Sequence, residues 1–309
     1  MGFNRRLAVL AIVALMASAH VWVSAQTLFQ FFVSATDASG APLTDLRAQD
    51  VIMSEDGVSQ PVVKVEPLSV PVKLTIAVDN GLESGDAIEY YRSGLKDLVE
   101  ALPQDVEITL IATAPQPRTV LKPTTDRTQI LRGITNFAPD RGSPRFTDTL
   151  VEYSQRLQRE AKDSKAAPYL PELLMLSTGA IEQTTYQPKD IEKAVEALVA
   201  RGARMNTVMV SARQGDVASA TKLKSSAQGL MSVIATKATN GRYEEVAVPS
   251  RLGMLLGGWG KDLAALHTRQ SKQFRVTVER GSSGDLKNPR IELARAGATG
   301  VVTRDGHLP

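Results

Sequence analysis

Apolar and polar residues follow two different periods along this chain. Short apolar runs that suit β-strands lie at 74–78, 106–112, 119–122, 173–177, 207–210 and 243–246. Between them apolar residues recur every three or four positions, the period of an amphipathic helix. The predicted helices span 86–102, 127–137, 146–162, 188–201, 218–238 and 250–266. Strands that alternate with helices predict an α/β fold with a doubly wound, mostly parallel, Rossmann-like sheet.

Two details refine the predicted sheet. The strand that contains Leu173, Leu174 and Met175 is continuously apolar, which predicts a sheet covered by helices on both faces. Only a short Pro115–Pro117 link separates the strands at 106–112 and 119–122. Because a parallel crossover needs a much longer connection, this pair is expected to form an antiparallel hairpin.

Strand-and-turn patterns flank the α/β region on both sides. Between residues 26 and 70, short apolar runs are separated by turns at 37–40 and 55–57. Alternation returns between residues 267 and 309. We therefore expect an N-terminal β segment (26–70) and a C-terminal β segment (267–309) that pack together as one small β-domain. The α/β domain (71–266) would be inserted between them.

Residues 1–25 have the pattern of an export signal. Arg5 and Arg6 precede an apolar stretch, and Ala25 ends a run of small residues that suits cleavage. Cleavage after Ala25 is favoured over cleavage after Ala19. It is also favoured over an uncleaved anchor, because the apolar stretch is short for a bilayer and His20 interrupts it. We expect an exported protein, periplasmic or extracellular, without a stable membrane anchor after cleavage.

Composition narrows the possible chemistry. The chain has no cysteine, which excludes disulfides, thiolate zinc sites and cysteine nucleophiles. Loss of Arg5 and Arg6 lowers the formal net charge from +3 to +1, and no basic cluster follows, so we expect no nucleic-acid partner. Only His267 and His307 remain after the leader, and both are expected at the surface. These residues supply no catalytic constellation, which predicts a non-enzymatic protein.

A glycine-rich stretch at 257–261 is similar to a phosphate-binding loop in composition only. Leu255 stands where the first glycine of such a loop belongs, and Asp262 follows the lysine. We expect a helix interruption or a close packing contact here.

Asp79 ends the apolar run of the first α/β strand and precedes a glycine loop. Ligands of open α/β sheets bind just past the carboxyl ends of the strands, so an aspartate at this position suggests a site. The alternative is a structural role, in which the carboxylate accepts backbone N–H groups and caps the helix near Asp86.

Several short motifs extend beyond this strand. The residues at 33–40, 46, 50–51 and 55–57 follow one ordered pattern, and those at 240–243, 274–276 and 304–306 follow its later landmarks. In these motifs the chain resembles exported bacterial proteins with a von Willebrand factor type A (VWFA)-related domain, of the acidobacterial type. The resemblance covers nearly all of the chain after the leader. It implies a binding domain that usually carries a metal-ion-dependent adhesion site for Mg²⁺.

The match to that metal site is incomplete. Asp79 stands at the position of the first aspartate, but Gly81 and Glu83 replace two serines. Pro144 occupies the threonine position, and Thr178 replaces the last aspartate. Compared with the family pattern, Asp79 is therefore a vestigial metal ligand, and no cofactor is expected.

We predict an exported protein-interaction scaffold whose metal site is no longer functional. Its interaction face would contain Asp79, Glu83, Arg145 and Thr178 and would bind an unidentified protein partner, with Arg145 offering a cation in place of the metal. The alternative is a divalent-cation-dependent adhesion domain in which Asp79, Glu83, Ser84 and Thr178 hold Mg²⁺ or Ca²⁺. An enzyme, or an accessory subunit of one, is a third alternative for which the sequence offers no residues.

Overall fold

The computed structural model describes residues 27–163, 167–210, 227–280 and 284–309. The strands are β1 Thr27–Thr36, β2 Val51–Glu55, β3 Val58–Gln60, β4 Val62–Leu68, β5 Val72–Val78, β6 Glu107–Ala112, β7 Arg118–Thr124, β8 Leu170–Ser177, β9 Arg204–Val210, β10 Tyr243–Val246, β11 Gln273–Arg280, β12 Pro289–Leu293 and β13 Thr299–Thr303. The helices are α1 Ile88–Ala101, α2 Arg127–Thr135, α3 Phe146–Glu160, α4 Pro188–Ala200, α5 Ala227–Ala238 and α6 Leu252–Gln270. None of the helices in these ranges is long and apolar enough to cross a membrane.

A six-stranded sheet with the order β10-β9-β8-β5-β6-β7 forms the centre of the molecule. Its strands are parallel except for β7, which runs antiparallel to β6. The predicted α/β class and the predicted hairpin are therefore confirmed. The short link between β6 and β7 leaves the chain no length for a crossover, so β7 has to return beside its neighbour.

Helices cover both faces of this sheet, as the continuous apolar strands predicted. Alternate side chains of a strand point to opposite faces. Accordingly, Leu74 and Ile76 pack with α1, α2 and α6. Ala77 of the same strand and Met175 of β8 pack with α3, α4 and α5 on the other face.

Strands from both ends of the described chain pair with each other. In a four-stranded sheet, β1 of the N-terminal segment lies between β11 and β13 of the C-terminal segment. In a three-stranded sheet, β2 of the N-terminal segment pairs with β12 of the C-terminal segment. Phe31, Met53 and Val276 belong to the core that these sheets share. That this β region and the α/β region form separate domains remains a prediction.

Two helix predictions need correction. A 3-10 turn at Leu82–Ala87 precedes α1, so the regular helix begins at Ile88 and not at residue 86. The glycine-rich stretch at 257–261 does not interrupt α6, which continues from Leu252 to Gln270. Its other predicted role is correct, because a Cβ on Gly260 would lie 2.7 Å from the backbone oxygen of Leu98 in α1. The predicted helix residues 218–226 lie outside the described part of the chain.

The predicted surface position of both histidines is wrong. His267, in the last turn of α6, is buried, and its Nδ1 accepts a hydrogen bond from the Val72 N–H at 3.2 Å. His307 has 11% of its side chain exposed and packs on Gly202, and burial lowers the pKa of its imidazole. The periodic spacing of apolar residues in the sequence could not reveal either contact, because each contact joins elements that are distant along the chain.

Candidate functional site

Asp79 lies at the carboxyl end of β5, near the middle of the central sheet. Its side chain is 1% exposed. One carboxylate oxygen accepts the Gly81 N–H at 2.9 Å, and the other accepts the Thr178 hydroxyl at 3.0 Å. The carboxylate thus joins the loop after β5 to the loop after β8. It accepts a loop N–H group, as predicted, but it does not cap a helix, since no side chain caps the turn that begins after Gly81.

Two buried hydroxyl groups complete the arrangement around Asp79. The Oγ of Ser84 lies 3.4 Å from the Oγ1 of Thr178, and Ser84 has no exposed surface. We call Asp79, Ser84 and Thr178 the carboxylate–hydroxyl cluster. Glu83 is exposed and takes no part in it. Of the four ligands in the cation-binding alternative, the structure brings together three.

Two further hydroxyls near this cluster were missed by the sequence analysis. The hydroxyls of Tyr91 in α1 and Thr113 after β6 are buried and have no hydrogen-bond partner among the described residues. Burial, together with the charge of Asp79, raises the pKa of the Tyr91 phenol well above its usual value. No local sequence motif indicates that these two hydroxyls lie near Asp79, because their position depends on how α1 and β6 pack against β5.

The loop before α3 closes on Gly81. The Leu82 N–H donates to the carbonyl of Gly142 at 3.2 Å. A Cβ on Gly81 would lie 3.1 Å from both Gly142 O and the Cδ of Pro144. Contacts this short explain why glycine occupies the position, since a serine here would press against the proline ring. Pro144 itself is buried.

Arg145 does not replace a metal beside Asp79. Its Nη1 lies 3.3 Å from the Asp148 carboxylate, and its Nε donates to the carbonyl of Pro115 at 3.2 Å. Its guanidinium therefore holds the start of α3 against the loop after β6.

A second polar cluster, also missed by the sequence analysis, joins the start of α3 to the loop after β8. The carboxylate of Glu182 accepts hydrogen bonds from the backbone N–H and the hydroxyl of Thr147. Asp148 accepts the Thr184 hydroxyl at 2.5 Å. Burial raises the pKa of Glu182 above its usual value. These contacts fix the shape of the loop edge without offering a free reactive group.

The predicted interaction residues divide into two sets. Asp79 and Thr178 are buried, whereas Glu83 is exposed and Arg145 is partly exposed. Two apolar side chains of the same loops reach solvent: Leu82 is 71% exposed and Ile181 is 82% exposed. Sequence offered a weak signal for both, since each is an apolar residue within a loop after a strand.

The carboxylate–hydroxyl cluster differs from a typical Mg²⁺ site in its donors. Mg²⁺ requires oxygen ligands near octahedral positions. Here both oxygens of Asp79 already accept hydrogen bonds, and Gly81 and Pro144 offer no side-chain oxygen. The described ranges also contain no group of three or more histidine, aspartate or glutamate side chains that could hold a metal. The residues therefore do not supply the ligand set that the sequence resemblance implies.

Comparison with known proteins shows that this chain is similar in fold to several solved structures. No protein-family model and no curated protein sequence matches the chain. The chain is similar to BatB from Bacteroides thetaiotaomicron, with 13% identity, coverage of 62% of this chain and 98% of that chain, and a TM-score of 0.46. It is also similar to a von Willebrand factor type A protein from Catenulispora acidiphila, with 11% identity, coverage of 90% and 74%, and a TM-score of 0.49. For the VWA domain of SpRpn10 the identity is 12%, the coverage 60% and 94%, and the TM-score 0.42.

Proposed function

We propose that the chain is a non-enzymatic, exported protein-interaction module of the VWFA kind, in which a hydrogen-bonded cluster replaces the metal site. The observation that carries this proposal is that both oxygens of the Asp79 carboxylate accept hydrogen bonds, from Gly81 and from Thr178. Each carboxylate oxygen keeps a second lone pair, but a cation at Asp79 would compete with the Gly81 N–H and the Thr178 hydroxyl for the same negative charge. Gly81 and Pro144 offer no side-chain oxygen to complete its ligand shell.

The positions of the histidines support a non-enzymatic role. His267 contacts Val72 at the start of β5, and His307 packs on Gly202, just before β9 begins. Both therefore lie near the amino ends of the strands, at the opposite edge from Asp79. At the carboxyl edge, where α/β sheets bind ligands, Asp79, Asp148 and Glu182 accept hydrogen bonds from neighbouring hydroxyls.

We infer that the partner binds a surface made by the exposed residues of the same loops. This loop face consists of Leu82, Glu83, Arg145 and Ile181. Exposed apolar side chains beside charged ones are the usual composition of a protein-binding surface, because the apolar groups gain most from leaving water. The buried Asp79 and Thr178 would act indirectly, by holding the two loops in place.

Affinity capture from the native cell envelope tests this proposal. The exported chain is expected to retain at least one reproducible protein partner. The double variant Leu82→Asp, Ile181→Asp should lose it, because charged groups replace both apolar contacts. Ile234→Asp on α5 alters an apolar residue that is 64% exposed and lies outside the loop face, and it should retain the partner. Failure to find a reproducible partner, or equal capture by all three proteins, would contradict the proposal.

The second candidate is a divalent-cation-dependent adhesion domain with a rearranged ligand set. It is favoured by the gathering of Asp79, Ser84 and Thr178 and by the unpaired hydroxyl of Tyr91 nearby. Under this alternative Glu83 would turn inward to complete the set. Capture that requires Mg²⁺ or Ca²⁺, stops with a chelator and is lost in Asp79→Ala would favour the adhesion domain over the metal-free scaffold.

A further inference from the structure

A groove of about 730 Å³ lies between β10 and α6, and none of its lining residues belongs to the loop face. Its floor is apolar and includes Val208, Val246 and Trp259. The α6 side contributes Leu255 and Met254, and Met254 is 70% exposed. An apolar side chain so far exposed along an apolar groove gains contact area only when another molecule covers it.

The same groove borders the last strand of the central sheet. β10 is the last strand of the sheet and pairs only with β9 among the described residues. The Thr207 N–H donates to the carbonyl of Arg242 at 2.8 Å. Since backbone groups alternate in direction along a strand, the N–H and C=O groups of Tyr243 and Glu245 point away from β9. Such unpaired groups can pair with an added strand.

The groove is lined by both acidic and basic side chains. Arg242 forms an ion pair with Asp262 at 2.7 Å, and the Glu245 carboxylate accepts the Tyr243 hydroxyl at 2.8 Å. Arg251, just before α6, is exposed at the groove beyond Val248. Glu244 is exposed, and the described part of the chain gives its carboxylate no partner. Side chains two positions apart share a face of a strand, so Glu244 lies on the groove side with Val246.

We propose that β10 and this groove bind an extended segment of a partner protein as a seventh strand. The segment would carry a basic residue opposite Glu244 and, two positions away on the same face, an aliphatic residue over Trp259 and Met254. Opposite charges across neighbouring strands stabilise the pair, and the aliphatic side chain covers the apolar floor.

A second copy of this chain fits the edge less well. Antiparallel pairing of two β10 strands about a twofold axis would place Glu244 and Glu245 of one copy against the same acidic residues of the other. Like charges in direct opposition destabilise strand pairing. Acidic residues therefore protect this edge from self-association while leaving it open to a basic segment.

Fluorescence of Trp259 tests this inference. In the chain with Trp22→Phe, Trp259 is the only tryptophan, with or without the leader. The probe is a short threonine-rich peptide with one lysine and one leucine separated by a single residue. Trp259 is 7% exposed, so the signal to follow is its emission intensity together with its wavelength. Addition of the peptide should change this emission in a saturable manner, and absence of any saturable change would overturn the inference.

Matched variants separate strand addition from simple apolar binding. Glu244→Lys should weaken the peptide about fivefold, because an attractive cross-strand pair becomes repulsive. Glu192→Lys, the same charge change at an exposed site on α4, should leave the affinity unchanged. A peptide N-methylated at alternate amides should bind at least about tenfold more weakly, since it lacks the strand-pairing N–H groups.

Three results would overturn the inference even if a peptide binds. They are equal binding to Glu244→Lys, equal binding of the N-methylated peptide, and a peptide-sensitive dimer in sedimentation, which would show that a second copy occupies the edge. The loop-face variant Leu82→Asp, Ile181→Asp should bind the peptide normally. Its response therefore distinguishes failure of this inference from failure of the proposed function.

Discussion

Two buried carboxylates of the central sheet have different surroundings and therefore different properties. Both oxygens of Asp79 accept hydrogen bonds. Glu172 on β8 accepts a hydrogen bond from Asn206 at 2.8 Å, but its other oxygen lies 3.6 Å from the Nε of Arg204, too far for a hydrogen bond. Burial raises the pKa of Glu172 to about 7, although the charge of Arg204 and the hydrogen bond from Asn206 act in the opposite direction.

This pKa predicts how stability depends on pH. The usual pKa of a glutamate is 4.5, so between that value and about 7 the folded state holds more protons than the unfolded state. Stability contributed by the neutral form is therefore lost as the pH rises through this range. Glu172→Gln removes the ionisation. Between about pH 5 and about pH 8, its unfolding free energy should improve relative to wild type by more than about 1 kcal/mol.

Denaturant unfolding at a series of pH values measures this difference. Glu89→Gln, at an exposed position on α1, is the control and should follow the wild-type curve. Parallel curves for wild type and Glu172→Gln would contradict the prediction.

At the scale of elements, the periodic spacing of apolar residues predicted the six described helices and the strands of the central sheet. It could do so because each of these elements buries one face or both faces and places apolar residues there. It did not predict contacts between elements. The glycines of α6 illustrate the reason. Glycine is favoured both where a helix is interrupted and where two helices pack closely, so the sequence alone does not distinguish the two. The site shows the same limit, since the end of a strand marks Asp79 but only the packing of two loops reveals its bond to Thr178.

The packing of α1 against α6 predicts opposite effects for two neighbouring glycines. A Cβ on Gly260 would lie 2.7 Å from Leu98 O and 2.8 Å from the Cβ of Ala101, so Gly260→Ala should destabilise the protein by about 1–3 kcal/mol. Gly258 has nothing within 4 Å of its Cβ position, so Gly258→Ala should stabilise it by about 0.5–1 kcal/mol. Urea unfolding midpoints compare the two, and a stabilising Gly260→Ala would contradict this packing.

At the scale of the whole molecule, the two ends of the described chain depend on each other. The buried guanidinium of Arg280 in β11 donates to the carboxylate of Glu55 in β2, with Nε to Oε2 at 2.9 Å. The same carboxylate accepts the Lys287 N–H at 3.0 Å. This hydrogen bonding, chiefly from Arg280, lowers the pKa of Glu55. The ion pair therefore connects β2 to the C-terminal β segment.

Removal of this cation should loosen the β region selectively. In Arg280→Met, the Glu55 carboxylate stays buried without its partner, so amides of β2, β11 and β12 should exchange with solvent faster. Amides of β5 in the central sheet should change less. Arg275→Met removes a more exposed ion pair with Glu66 and should have little effect. Hydrogen exchange followed by mass spectrometry measures the pattern, and unchanged exchange in β2 would contradict it.

Thermal unfolding with added cations most directly tests the proposal that internal hydrogen bonds take the place of a metal at Asp79. A ligand that binds only the folded state raises its melting temperature. We expect millimolar Mg²⁺, Mn²⁺ or Ca²⁺ to leave the melting temperature of the wild type unchanged relative to sodium chloride at equal ionic strength. Asp79→Ala should be less stable by about 1–3 kcal/mol under all these conditions. A cation-dependent rise in melting temperature that Asp79→Ala abolishes would contradict the proposal.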